Sequence, residues 1–480
     1  MNPTGLLALR PELRVFPEPH GVVFFDRNPY QAHKRYTLKP ALAFLLCLFD
    51  GRRTADQVAQ ILASTLSSSL SDARRKVQDA IRVFCGQLLV PAEERDRRWM
   101  ALGASPPPLE DLLFRPSPDL PRRARHPYSL VYLVTQRCFR RCVYCYADAG
   151  PGPGDESGTT LSGRRIRSLI KEAGALGVAV ISLTGGDPLV DPKTVDFALG
   201  MMDGGILPWI STKGRLSTRN AERLAQSGLP LLQVSIDSHK PETQDALCDV
   251  RGSFVDILGT IDACLQAGIR VYTNTVVTAW NIEDVPYLVR DLRRRGVTAC
   301  LLTPYTRSLG RHDDALFATR EQWMSLLDWY TEYVENGGAQ LRFTKALDPE
   351  LARRSGETLL ERQKGRSDCT AGREGFCFLS DGDVVLCERL ATFRRERPEV
   401  VVGNLAEQGI GDVWDSPTLD KMVFPTRSAF DGTVCSNCEE FEDCGRTRGR
   451  CYVRCLMAYG RLFGPDPLCH LAPATQERFM

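Results

Sequence analysis

Between residues 129 and 310 the chain alternates short apolar runs with longer amphipathic ones. Leu130–Val134, Ala179–Leu183, Trp209–Ser211, Leu231–Ile236, Val271–Val277 and Ala299–Thr303 have the length and composition of buried strands. After the first of these, Ile166, Leu169, Ile170, Ala173 and Leu176 recur at the three- and four-residue spacing that lays one apolar stripe along a helix. Further helices are predicted near 217–227, 252–267, 282–295 and 320–335. Strand and helix in strict alternation predict a parallel sheet of α/β type. Six such repeats suit an open doubly wound sheet as well as a partial barrel, and periodicity does not choose between them.

The flanking segments read differently. Residues 1–92 predict a small α+β domain, with strands at Leu13–Pro17, Gly21–Asp26 and Lys34–Leu38. Three helices follow: one from about Pro40 to Leu48, one capped by Thr54, and one from Ser71 to Leu88 with Val77, Ala80, Ile81 and Phe84 on one face. Residues 93–126 predict a linker, because Pro106-Pro107-Pro108 and Arg115-Pro116-Ser117-Pro118 favour stiff, extended chain. Its basic run Arg122–Arg125 reads as a solvated face. The strand–helix region spans 127–340, and 341–480 is a fourth segment, poor in regular pattern and rich in Gly, Pro and Cys.

Composition adds little until the cysteines are counted. A hydrophobic fraction of 43% and a charged fraction of 25% are ordinary for globular protein. A net charge of +2 gives no reason to expect nucleic acid or a membrane as partner. The apolar run Ala41–Phe49 is too short to span a bilayer. No basic region precedes a long apolar segment at the N-terminus, so a cytoplasmic location is expected. There are 17 cysteines, and they are grouped. Three stand at 138–145 and nine between Cys369 and Cys469. Cys47, Cys85, Cys248, Cys264 and Cys300 are isolated and read as small buried hydrophobes. In a reducing compartment, grouped cysteines are more often metal ligands than disulfides.

Cys138-Phe-Arg-Arg-Cys142-Val-Tyr-Cys145 directly follows the first strand. The loop therefore lies at the C-terminal end of the sheet, where α/β proteins place ligands. Three thiolates leave one metal position open, whereas a closed structural site takes four ligands. The competing reading is a zinc site that borrows a fourth ligand. Cys-x3-Cys-x2-Cys behind a first strand resembles the signature of the radical S-adenosylmethionine superfamily, and the resemblance extends over 129–310. It implies a partial (β/α)6 barrel and a 4Fe–4S cluster on Cys138, Cys142 and Cys145. The open iron would be chelated by S-adenosylmethionine, whose reductive cleavage yields a 5′-deoxyadenosyl radical.

The resemblance assigns further residues to the cofactor. Tyr144 occupies the aromatic position beside the adenine. Gly185-Gly186-Asp187-Pro188 resembles the Gly-Gly-Glu-Pro segment that holds the methionine amino group, with Asp187 in place of Glu. Thr212, in Ser211-Thr212-Lys213-Gly214, matches the Thr-Asn-Gly segment. Ser235-Ile-Asp237 matches a Ser-x-Asp at the ribose. Arg251, opening an Arg-Gly-x-Phe segment, is assigned to the carboxylate, and Asn274 lies on the fifth strand.

The later cysteines resemble the SPASM domain, which carries two auxiliary 4Fe–4S clusters in peptide- and protein-modifying radical enzymes. Cys369, Cys377, Cys387 and Cys451 are expected to hold one, and Cys435, Cys438, Cys444 and Cys469 the other. Cys455 is an alternative member. The family places a cysteine where this chain has Arg448, so Cys451 and Cys455 must substitute. A zinc-stapled domain is the alternative. Glu388, after Cys387, matches an acid that sulfatase-maturing relatives use as a base on substrate.

The order of strands and helices in 1–92, with Tyr36-Thr-Leu-Lys-Pro40 and Leu48-Phe-Asp-Gly51-Arg-Arg-Thr54, resembles leader-binding, winged-helix-like RiPP recognition elements. A DNA-binding module is the structural competitor, but the helices lack a dense basic face. Together these resemblances imply a maturase of a ribosomally made precursor peptide. It would form a thioether or a carbon–carbon or carbon–oxygen crosslink, or oxidise a side chain, with flavodoxin or ferredoxin as electron donor. A radical enzyme acting on a folded protein or small metabolite, and a non-catalytic iron–sulfur or zinc scaffold, are the other readings.

Overall fold

The computed structural model describes residues 5–28, 35–103, 106–117, 123–150, 160–307, 310–338, 341–343, 369–445, 450–467, 469 and 471–473. The chain divides into two compact units, 1–125 and 126–480.

In the first unit, β1 (Leu7–Leu9) pairs with β5 (Leu89–Pro91), while β2 (Leu13–Glu18), β3 (Gly21–Asp26) and β4 (Arg35–Leu38) form an antiparallel sheet in the order β2-β3-β4. β3 is buried along its whole length because it is central, and β4 is an edge. Lys34, expected to begin the third strand, lies outside the described residues. Helices α1 (Pro40–Cys47), α2 (Ala55–Thr65) and α3 (Leu70–Phe84) cover the core. Thr54 closes a capping box with Gln57 at the start of α2. Val22, Phe24, Phe44, Leu46, Val58, Leu62 and Val77 form the common core.

The reading of 93–126 as a linker needs correcting. Helix α4 (Arg97–Ala101) and the turn Leu109–Leu112 pack into the first unit. Trp99, Leu102 and Leu112 are fully buried, and burial of such side chains stabilises by about 2 kcal/mol each. The buried Arg27 side chain donates to the carbonyls of Trp99 and Leu102 and stands over the Trp99 ring. Apolar anchors thus outweigh the proline signal that suggested free extended chain.

The second unit is built on one sheet in the order β12-β11-β10-β9-β8-β7-β6-β13-β14-β15. Its parallel core comprises β6 (Ser129–Thr135), β7 (Val180–Gly185), β8 (Leu207–Thr212), β9 (Leu231–Ser235), β10 (Arg270–Val277) and β11 (Ala299–Pro304). The crossovers carry α5 (Gly163–Ala175), α6 (Thr194–Asp203), α7 (Thr218–Gln226), α8 (Pro241–Cys248) with α9 (Ser253–Gln266), and α10 (Val285–Arg295). Ser162 and Ser217 cap α5 and α7 through the N–H groups of Arg165 and Asn220. Helix α11 (Arg320–Glu335) leads to a seventh parallel strand, β12 (Leu341–Phe343).

Strands from beyond the boundary expected between 340 and 341 join the same sheet. β13 (Gly375–Leu379) joins the other edge of the parallel sheet, next to β6, and β14 (Asp383–Val385) and β15 (Gly403–Asn404) extend it. A Cβ at Gly375 would fall 1.6 Å from the Ser129 carbonyl oxygen, so this approach requires glycine. Tyr132 and Phe378 stack across the new seam. β13 of the C-terminal region therefore shares backbone hydrogen bonds with β6 of the parallel core.

Candidate active site

The three cysteines at 138–145 lie on the loop behind β6. The loop is pinned from two sides. Cys138 N–H donates to the Gly150 carbonyl (2.9 Å), and the N–H groups of Arg141 and Val143 donate to the carbonyls of Cys248 and Leu247 at the end of α8 (2.9 and 3.0 Å). Burial, and then the nearby carboxylate of Asp187, push the Cys138 thiol up to about 12. Burial also raises Cys145. Cys142 goes the other way, lowered by the neighbouring Cys248 thiol and by the charge of Lys213 against the cost of burial.

The ends of β7 and β8 are locked together beside this loop. A Cβ at Gly186 would fall 1.9 Å from the Arg137 carbonyl oxygen, which lets the two loops touch. Gly185 has φ +120°, in the range that favours glycine. Pro188, itself buried, starts a short turn. The Asp187 carboxylate is 2% exposed and accepts hydrogen bonds from Thr212 Oγ1 and the N–H groups of Leu189, Lys213 and Gly214 (2.8–3.0 Å). The side chains of Asp187 and Thr212 thus face each other, and Gly185 and Gly186 present backbone to the neighbouring space.

Asp237 follows β9 and is fully buried. Its carboxylate receives Tyr144 Oη (2.5 Å), Lys213 Nζ (2.7 Å) and the Val276 N–H (2.9 Å). Lys213 Nζ also touches Tyr144 Oη and stands over the Tyr144 ring. Tyr144, Lys213 and Asp237 are therefore one network, with the Tyr144 hydroxyl turned to the carboxylate. Ser235 pairs with Asn274 of β10, whose side chain accepts from Thr303 Oγ1 (2.8 Å). Arg251 is exposed in the turn between α8 and α9. Lys213, Gln244 and Cys248 had no site role in the sequence reading. Only Lys213 stood inside a motif; the other two are brought in by the position of α8.

The C-terminal cysteines collect in two groups. Burial raises the Cys369 thiol, with Cys451 adding to it, and burial and then Glu388 raise the Cys387 thiol, with Cys369 and Cys451 adding to it. Cys377, on β13 and fully buried, adjoins Cys387 and Glu388. Cys435, Cys444 and Cys469 form the second group by the same criterion, and Cys438 N–H donates to the Cys435 carbonyl. Cys455, on the helix Tyr452–Tyr459, is raised to about 12 by burial and then by Cys435, and it also feels Cys451. It thus adjoins both groups. Arg448 lies outside the described residues.

A cavity of about 600 Å³ opens beside the first loop. Thr135, Gly185, Gly186, Tyr146, Arg311 and Glu388 are among the residues that line it. Burial, and then the charge of Glu388, raise the Tyr146 phenol.

Residues 132–292 match the radical SAM superfamily. The chain belongs to that superfamily. Residues 369–439 of this radical SAM enzyme match SPASM, an iron–sulfur cluster-binding domain. It is 26% identical over 364 residues to an AdoMet-dependent heme synthase of Methanosarcina barkeri, covering 73% of this chain and 98% of that one. It is 28% identical over 370 residues to a mycofactocin maturase of Mycobacterium tuberculosis, covering 74% and 86%. The structure of Streptococcus suis SuiB bound to S-adenosylmethionine superposes with a TM-score of 0.65, over 97% of this chain and 100% of that one; at 17% identity this is a likeness of fold. The cofactors of the superfamily, iron–sulfur clusters and S-adenosylmethionine, suit the donors present. Sulfur donors dominate, and among the described residues no group of three or more His, Cys, Asp or Glu converges to hold a single metal ion. An iron–sulfur cluster needs its thiolates spread more widely. Among the described residues no helix is long and apolar enough to cross a membrane.

Proposed function

We propose that this radical SAM enzyme is a maturase that binds the leader of a ribosomally made precursor peptide and modifies a residue of its core. The observation that carries the reading is the shared cavity, in which Gly185 and Gly186 of the barrel meet Tyr146 and Glu388. One space then serves cofactor, core segment and base.

In this reading Cys138, Cys142 and Cys145 hold the first cluster. Cys369, Cys377, Cys387 and Cys451 hold a second, and Cys435, Cys438, Cys444 and Cys469 a third, with Cys455 as the alternative member between them. When bound, the first cluster supplies the electron that cleaves S-adenosylmethionine to the 5′-deoxyadenosyl radical. The backbone of Gly185–Pro188, with Tyr144, Thr212, Ser235, Asp237, Arg251 and Asn274, orients S-adenosylmethionine. Glu388 accepts the proton that the oxidised core residue releases. The edge of β4 adds the leader as a further strand. An external one-electron donor, flavodoxin or ferredoxin, completes the cycle.

Two similarities support a peptide substrate: the mycofactocin maturase relative, and the superposition on SuiB along almost the whole chain. SuiB has also been solved bound to its precursor peptide SuiA. A second reading, a small substrate bearing carboxylates, is favoured by the heme synthase relative and by the four arginines that line the cavity, Arg141, Arg311, Arg394 and Arg395. The deciding experiment supplies reduced enzyme and S-adenosylmethionine with either a short peptide encoded beside the gene or an iron porphyrin. Product mass and 5′-deoxyadenosine are measured for each. A mass change of the peptide is expected; turnover of the porphyrin alone would overturn the proposal.

A further inference from the structure

Phe139 directly follows Cys138, yet it is 37% exposed. A Cβ at Gly214 would fall 2.6 Å from two carbons of the Phe139 ring, so the ring rests on the glycine that follows β8. The next residue, Arg140, is buried and donates to Asp256 in the first turn of α9 (2.9 Å). Thr260 of α9 donates to the Gly214 carbonyl (2.8 Å) and accepts the Leu216 N–H (2.9 Å). These bonds hold residues 214–216 and the start of α9 beside the cysteine loop. Val255, the neighbour of Asp256, is 70% exposed. Phe139 and Val255 thus bring exposed apolar surface to the outer side of the loop that carries Cys138.

The charges beside this surface are of one sign. Arg215 and Arg219 are exposed, and among the described residues neither forms an ion pair. Arg219 stands in the first turn of α7, which holds no acidic residue. A cation there faces the positive end of the helix dipole and costs about 0.3–1 kcal/mol, so the fold gains nothing from it. The nearby carboxylates of α8 and α9 are engaged, Asp256 by Arg140 and Asp245 by the N–H groups of Gly252 and Phe254. An apolar centre flanked by unneutralised arginines is the make-up of a surface for an acidic partner. Position selects the kind of partner. Phe139 is bonded to Cys138, so a redox group seated on its ring is one residue away from that thiol.

We propose that Phe139, Val255, Arg215 and Arg219 form the docking surface for a small acidic one-electron carrier protein, the donor that the proposed reaction requires. The proposal rests on the assignment of Cys138, Cys142 and Cys145 as ligands of the cluster that receives the electron. The carrier is oxidised by one electron and the cluster reduced by one; no bond forms or breaks. The arginines steer the encounter, and Phe139 and Val255 allow close approach once it is made. Redox encounters are weak and bury little surface, which suits four side chains on an open face.

The test uses full-length, reconstituted enzyme with flavodoxin and ferredoxin, both acidic carriers. Binding is measured by calorimetry, and electron transfer by stopped-flow oxidation of the reduced carrier. Arg215→Glu combined with Arg219→Glu should weaken binding and slow transfer by about tenfold or more at low ionic strength, and the gap should close in high salt. Val255→Ser should weaken binding at both ionic strengths. With dithionite as reductant, which needs no docking, 5′-deoxyadenosine formation should match wild type in every variant. Carrier binding unchanged in both variants, or a wild type that binds neither carrier, would overturn the proposal. A wild-type dimer that the charge reversals dissociate, seen by light scattering, would give the surface to a second copy of the chain and overturn it as well. Cys142→Ala tests the underlying assignment separately, because it should abolish 5′-deoxyadenosine with dithionite. Formation that survives there would refute the ligand assignment, whatever the surface binds.

Discussion

The carboxylate of Glu388 opposes ionisation of the Tyr146 phenol, although one follows Cys387 in the C-terminal region and the other follows Cys145 in the first cysteine loop. β13 and β14 make this meeting possible, since they carry the C-terminal chain onto the edge of the barrel sheet beside β6. A base for substrate belongs in such a place, facing the cavity and apart from the Tyr144–Lys213–Asp237 network. Glu388→Gln should therefore lower product formation by about a hundredfold or more, the usual worth of a general base. 5′-Deoxyadenosine formation should stay near wild type. Parallel assays of product and 5′-deoxyadenosine check this; normal values for both would make Glu388 a bystander.

Metal content provides a second measurement. Three four-iron clusters amount to about twelve irons per chain. Replacing Cys138, Cys142 and Cys145 together by Ala should remove about a third of the iron and abolish 5′-deoxyadenosine. Iron analysis of anaerobically purified protein, with zinc measured alongside, decides. Zinc at the C-terminal cysteines would contradict the auxiliary clusters.

Leader binding is expected to map to the first unit. A chain beginning near residue 127 retains every proposed cluster ligand and should still cleave S-adenosylmethionine, but it should lose affinity for the cognate precursor peptide. Tyr36→Pro, in the edge strand β4, removes one backbone N–H and should weaken binding without changing iron content. Calorimetric titration of the peptide into all three proteins compares them. Equal affinity throughout would remove the first unit from substrate recognition.

A pH effect is expected in the first unit and is independent of the clusters. Burial raises the Asp26 carboxyl to about 6, and its ion pair with Arg10 (2.8 Å) only partly offsets that. A carboxyl whose folded pKa lies above its unfolded value favours the folded state below the unfolded pKa and loses that advantage as pH rises through the folded one. The stability of β2 and β3 should thus fall between about pH 4 and pH 6, by roughly 3 kcal/mol at most. Asp26→Asn should flatten the change. Hydrogen exchange of β2 and β3 amides, corrected for the intrinsic rate at each pH, reads it directly.

Much of the second unit was legible because its signals are local. The 3.6-residue stripe of α5 and the apolar runs of β6–β11 name their own elements, and the cysteine spacing names its own chemistry. The segment 93–126 misled because proline content speaks to backbone preference. What holds Trp99, Leu102 and Leu112 is burial against side chains far away in sequence. That β4 is an edge strand follows from the pairing order β2-β3-β4.

By itself the sequence determined the alternation of strands and helices, the loop that carries Cys138, Cys142 and Cys145, and the residue types available to bind iron and S-adenosylmethionine. These depend on spacing within one segment. Tertiary structure alone decided that β13 would pair with β6, that Glu388 and Gly186 would line one cavity, and that Arg141 and Val143 would close the end of α8. The physical reason is range. Periodicity and motif spacing report which face a residue presents within its own element. Which elements pack together is settled by the burial and hydrogen bonding of the whole chain, and no short window of residues contains that information.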